Sequence, residues 1–204
     1  MKRKHALGPL VMLALAALLA ACSSASSSKG AQLSEPTIEQ MGRTMVRYRD
    51  PLVEVLVDYK FANQSVGDEW IILNVAVTSS KSQAIEIRRG SVSVRTPDGR
   101  KIPLQSYPDF IDAYPEIQSA ARRAALASDP IDFTHAGRLP CDLQFQPLPG
   151  TDTALESVFV NMRKICQGLL FFPVQGGIQP GRWEFVIEFE EFEARAPFEI
   201  ERPQ

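Results

Sequence analysis

The stretch Arg182-Trp183-Glu184-Phe185-Val186-Ile187-Glu188-Phe189-Glu190 carries the clearest period of two in the chain. Trp183, Phe185, Ile187 and Phe189 fall on one side, and Glu184, Glu188 and Glu190 on the other. Successive side chains of a strand stand on opposite faces, so this alternation predicts a β-strand with one buried and one wet face. The strand is expected to run from Arg182 to Ala194, with a short last run from Pro197 to Glu201.

Earlier segments repeat the theme. Leu52–Tyr59 and Trp70–Val77 are rich in β-branched residues, and Asn63–Asp68 between them carries turn residues. They are expected to be adjacent antiparallel strands. Ala84–Ile87 and Ser91–Arg95 follow. Then comes Thr96-Pro97-Asp98-Gly99-Arg100, where Pro97 presets φ and Gly99 can supply a positive one, so Lys101–Leu104 reads as the return strand of a hairpin. Cys141–Phe145 and Leu155–Asn161 are further strands. Gly168–Val174 is apolar on both faces, as a central strand is, until Pro173 ends it.

One segment breaks the pattern. Pro115–Leu126 is Ala-rich, Pro115 suits a first helical turn, and Tyr114, Ile117, Ala121 and Ala124 share a face, so a helix over about 114–127 is expected, either capping one open end of the fold or, with Arg122 and Arg123, carrying binding. Residues 35–50 are ambiguous. Ile38, Met41 and Met45 have helical spacing, Gly42 weakens it, and the segment reads as a short helix or an extended lead-in. The set of short strands around one helix predicts a mostly β fold, an antiparallel immunoglobulin-like β-sandwich over 51–204 with one inserted α-helix.

Three segments together resemble the immunoglobulin-like, telokin-like domains of unknown function on bacterial lipoproteins. They are the Trp70–Val77 strand, the Val92–Arg100 hairpin ending in Pro97-Asp98-Gly99, and the Gly168–Pro173 run. The resemblance covers about residues 50–200 and implies a sandwich without catalytic residues. The 114–127 helix and the long acidic C-terminal strand depart from it.

The N-terminus has its own logic. Lys2, Arg3 and Lys4 precede an apolar stretch from Ala6 to Leu19, the layout of a secretory signal peptide over 1–21, too short for a comfortable membrane span. Leu19-Ala20-Ala21-Cys22 resembles the lipobox of bacterial lipoproteins. The resemblance implies cleavage between Ala21 and Cys22 and acylation of Cys22, and two or more acyl chains hold a protein stably on a bilayer surface. Ser23 resembles the residue of the outer-membrane-sorted lipoproteins of Gram-negative cells. Residues 22–34, Ser-rich and small, are expected to be a tether. The location expected is the cell envelope, at the outer membrane facing the periplasm.

Loss of Lys2, Arg3 and Lys4 leaves 19 basic against 24 acidic residues, a net charge of −5. That argues against nucleic acid, which requires a basic footprint, and against electrostatic binding to anionic lipid. Cys141 and Cys166 remain after lipidation. In an oxidising compartment an even pair predicts a disulfide. The rival readings are a metal site with His135, resting on residue type alone, and two free buried thiols.

No catalytic motif appears: no Gly-x-Ser-x-Gly elbow, HExxH, Walker A loop, GxGxxG or EF-hand loop. Ser128, Asp129, Asp132 and His135 invite a triad, but the plain reading is a loop histidine near a turn-forming Asp-Pro. Glu184, Glu188, Glu190 and Glu193 form either a solvated strand face or an acidic patch for a cation or a basic partner. Arg88-Arg89-Gly90 is either a strand end in solvent or a contact for acidic groups. Three functions follow. The favoured one is a non-enzymatic binding or scaffold module, held to the membrane by lipid, with an envelope protein partner and no cofactor. The second is an envelope hydrolase using Asp109, Asp112, Glu116 or His135. The third is a ligand or metal carrier using His135 and the cysteines.

Overall fold

The computed structural model describes residues 35–128, 131 and 137–202. The leader, Ala21, Cys22, Ser23 and the tether lie outside the described residues, as do Asp129, Asp132 and His135.

Two sheets face each other. The larger has six strands: β1 (Thr37–Met41), β2 (Met45–Arg49), β3 (Val53–Asp58), β4 (Trp70–Ser79), β10 (Lys164–Pro173) and β8 (Leu139–Asp142), side by side in that order. The smaller has four: β12 (Glu193–Ile200), β11 (Gly181–Glu188), β6 (Val92–Arg95) and β7 (Lys101–Pro103). A separate ribbon pairs β5 (Ile85–Arg88) with β9 (Ser157–Val160). Every pairing is antiparallel except β8 with β10, which is parallel. The fold is mostly β, an antiparallel sandwich as the alternation predicts.

Period two sorts the core. Ile71, Leu73, Val75 and Val77 of β4 join Leu170 and Phe172 of β10 and Trp183, Phe185 and Ile187 of β11 between the sheets. Ile72 of β4 and Phe171 of β10 point to the opposite side and pack in a second cluster with Phe61, Phe110, Ile117, Ala121 and Ala124. The large sheet is thus buried on both faces along β4 and β10, which is why Gly168–Val174 reads as apolar on both faces and only Asn74 interrupts the apolar run Trp70–Val77.

The second cluster corrects the place of the helix. α2 spans Tyr107–Ala127 and lies on the outer face of the large sheet, not across an open end. It also starts earlier than residue 114. Ser106 is its N-cap and accepts a hydrogen bond from the Asp109 amide at 3.3 Å, with Pro108 in the first turn; Pro115 sits inside the helix. A helix tolerates proline in its first turn because that amide has no intrahelical partner, so Pro108 and Pro115 both look like starts and only the cap decides. Phe110, one turn before the expected start, is fully buried against Phe171 with ring centroids 4.9 Å apart.

Other boundaries move as well. Residues 35–50 are neither helix nor lead-in but the hairpin β1–β2, turned at Gly42 (φ 71°) and paired to β3, so the sandwich begins before residue 51. The segment after β3 contains a short helix, α1 (Lys60–Gln64). The Arg182–Ala194 run is not one strand: β11 stops at Glu188, and the chain reverses over 189–192 into an eight-residue β12. Leu143 and Phe145 lie beyond the end of β8; there Gln146 takes the place of a strand. Its side chain accepts the Phe171 amide at 2.9 Å and donates to the Phe171 carbonyl at 3.3 Å, satisfying the edge of β10 that β8 leaves bare.

Candidate functional site: a cleft between the ribbon and the acidic hairpin

At one end of the sandwich a cleft of about 940 Å³ opens between two walls. The first wall is the turn after β4, Lys81–Ala84, continuing into Ile85, Glu86 and Arg88 of β5. Serines fasten it to the β2–β3 turn. Ser79 Oγ donates to the Leu52 carbonyl at 2.7 Å and accepts the Lys81 amide at 3.0 Å, and Ser80 Oγ donates to the Pro51 carbonyl at 2.6 Å. Small hydroxyl residues suit this turn because they bond backbone groups over short range.

The second wall is the β11–β12 reversal, Glu188–Phe192. The Phe189 amide donates to the Phe192 carbonyl at 2.8 Å, and the two rings stack with centroids 4.5 Å apart and planes 12° from parallel. Both rings pack on the main core. Closing the turn on an aromatic pair leaves Glu190 and Glu191 at the tip, exposed.

The two charged motifs singled out in the sequence meet here. Arg88 pairs with Glu86 at 2.9 Å. That contact raises the guanidinium's pKa, with a smaller contribution from Glu190 across the cleft. The same Arg88 bond, helped by Ser157, holds the Glu86 carboxyl below its ordinary value. Arg89 turns away to Glu156 at 3.0 Å. Of the four glutamates on the alternating run, Glu188 is paired with Lys101, and Glu193 with Arg195 and, at 3.6 Å, Arg95. These form a solvated ladder on the outer face of the small sheet. Glu184 is half-buried within β11 and away from the cleft, and Glu190 is left for the cleft, joined by Glu191.

Sequence reasoning missed Lys81, Leu52, Glu191 and Phe192. The doubled Glu190-Glu191 was the available signal, because it breaks the alternation where a turn must lie.

Cys141 and Cys166 are partners in register on β8 and β10, 4.3 Å apart at Cα, and form a disulfide. That excludes the reading of two free thiols. Asp109, Asp112 and Glu116 are exposed on α2 and do not line this cleft. Ser128 caps α2 and donates to the Ala124 carbonyl at 2.8 Å. Among the described residues no three His, Cys, Asp or Glu side chains are placed to hold a metal ion, and no helix is long and apolar enough to cross a membrane.

Fold and cleft together define a β-sandwich domain with a charged, aromatic-backed recess at one end. Compared with protein-family models, with curated proteins and with solved structures, the chain matches none.

Proposed function

We propose that the chain is a lipid-anchored envelope lipoprotein whose sandwich is a non-enzymatic binding or scaffold module. The observation that carries this reading is the Cys141–Cys166 disulfide, partly sunk in the main core. Such bonds persist in oxidising compartments, in keeping with export by the 1–21 leader and acylation at Cys22. The cleft supports the binding role. It offers Glu190 and Glu191 at an exposed tip, Lys81 opposite, and stacked rings behind them, a surface suited to a polar protein segment with a basic side chain. On this reading the domain sits at the outer membrane, facing the periplasm, and binds an envelope protein there.

Two experiments test it. Labelled palmitate is expected to enter the wild-type chain and not a Cys22→Ser variant, which should leave the membrane fraction. Labelling that ignores the substitution rules out the anchor. A photo-crosslinking side chain at position 191 is expected to capture a defined envelope protein that the same side chain at position 98, at the far end, does not. Capture of nothing, or equal capture from both positions, rules out the cleft as the binding site.

A further inference from the structure

The register of the large sheet shows which end of the sandwich receives the N-terminal segment. Thr37 pairs with Arg49, Arg49 with Glu54, Glu54 with Thr78, Thr78 with Ile165, and Ile165 with Pro140. One row of residues therefore runs across all six strands at the end where β1 begins. The turn Asn161-Met162-Arg163 closes on this row: Thr78 Oγ1 donates to the Lys164 carbonyl at 2.7 Å, and the Leu139 amide donates to the Arg163 carbonyl at 2.7 Å. The Met162 amide donates to the Lys81 carbonyl at 2.7 Å, drawing the turn after β4 to the same place.

Three exposed large apolar side chains gather there. Leu139 is 62% exposed, Met162 48% and Phe159, on the adjoining ribbon, 55%. Lys164 is the cross-strand partner of Leu139, and Arg163 and Lys81 flank Met162; all three cations are exposed and make no ion pair with a described residue. Apolar side chains interleaved with exposed cations match a bilayer interface, where the first enter the acyl boundary and the second meet lipid phosphates. The negative charge of the chain as a whole does not oppose this locally. Charges more than about 10 Å away are largely screened at physiological salt. Glu190 and Glu191 belong to the hairpin on the opposite wall of the cleft that Lys81 lines.

We propose that this end, carrying Leu139, Met162, Arg163, Lys164 and Lys81, lies on the membrane surface and contacts anionic phospholipid. The inference rests on the lipid-anchor reading, and geometry links the two. The fifteen residues from Cys22 to Pro36 span at most about 50 Å, and they lead into the same end of the sheet. The anchor and the patch thus act as two signals on one bilayer.

The chain carries its own reporters. Of its five methionines, Met1 and Met12 fall in the leader, Met162 lies on the patch, and Met41 and Met45 flank the β1–β2 turn at the opposite end. The full lipidated protein, with methyl-labelled methionine, is placed in nanodiscs containing phosphatidylglycerol and a headgroup-spin-labelled lipid. The Met162 methyl signal is expected to lose intensity severalfold more than those of Met41 and Met45. The contrast should vanish in a Leu139→Glu/Arg163→Glu/Lys164→Glu variant and shrink in discs of phosphatidylcholine alone. Equal broadening of all three methyls, or stronger broadening of Met41 and Met45, overturns the proposal while leaving the anchor intact. A wild-type protein that does not float with lipid vesicles overturns the anchor, and this docking with it.

Discussion

Single side chains hold several joints that backbone pairing leaves open. The Cys141–Cys166 bond closes a loop of 25 residues' separation, and by the chain-entropy model a loop of this size is worth about 3 kcal/mol. A Cys141→Ala/Cys166→Ala variant is expected to lose about that much, read as a lower urea midpoint with a steeper slope, because the denatured chain is released to expose more surface. Gln146 is buried, and its amide bonds both backbone groups of Phe171. Leucine there would leave those groups unpaired in the interior, at a cost of about 1–3 kcal/mol in the same measurement. The Tyr48 hydroxyl, buried and donating to Asp50 at 2.9 Å, titrates far above its ordinary value, chiefly through desolvation. A group whose folded pKa is raised contributes stability below its unfolded value, near pH 10, and that contribution fades as pH climbs toward the folded value. Stability is therefore expected to fall above pH 10, and less steeply in Tyr48→Phe, which chemical denaturation across pH 8 to 12 would show. A flat profile in the wild type would contradict the burial of this hydroxyl.

At the scale of elements, α2 and the glycine loops show how local chemistry and packing divide the work. The helix is held by its face on Ile72 and Phe171, so Phe110→Ala, which empties the centre of that contact, is expected to cost about 3–5 kcal/mol. Ser106→Ala, which removes only the cap, should cost about 1 kcal/mol. An order of effects reversed between these two would mean that the helix is stabilised from its end and not from its face. Gly177, at φ 78°, lies so close to the Gly67 loop that an added Cβ would meet the Gly67 carbonyl oxygen at 2.5 Å. Alanine there requires both an unfavourable φ and a parting of two loops, and a lowered melting temperature is expected. A Cβ added at Gly67, by contrast, would meet nothing within 4 Å, so its substitution tests the φ requirement alone.

For the whole molecule, the sandwich has two unlike ends. One carries the β6–β7 turn, α1 and the Gly67–Gly177 contact. The other gathers the start of β1, the turn after β4, the Asn161–Arg163 turn and the acidic hairpin. The cleft and the basic-apolar patch lie side by side at this second end, so a domain resting on that patch would hold the cleft close to the lipid surface. Strand content, the Pro97–Gly99 hairpin (Gly99 at φ 86°) and the cysteine pair were legible in the residues, because alternation, turn chemistry and an even thiol count are local signals. The true start of α2 and the reversal after Glu188 were not. Ser106 is one cap-competent serine among many until Phe110 is seen to be buried, and Phe189 and Phe192 would stand on opposite faces of a continuous strand until the reversal stacks them on each other.

The amino-acid order by itself determined the mostly β character, the buried stripe of Trp183, Phe185 and Ile187, and the existence of one long helix. Each of these is written in the period of apolar residues along a short window. Only the tertiary structure decided that the helix covers the large sheet, that β8 runs parallel to β10, and that Arg88, Glu190 and Lys81 share one cleft. Those facts join residues tens of positions apart. Their free energies depend on which faces are left bare once the strands have paired, and no window of sequence contains that information.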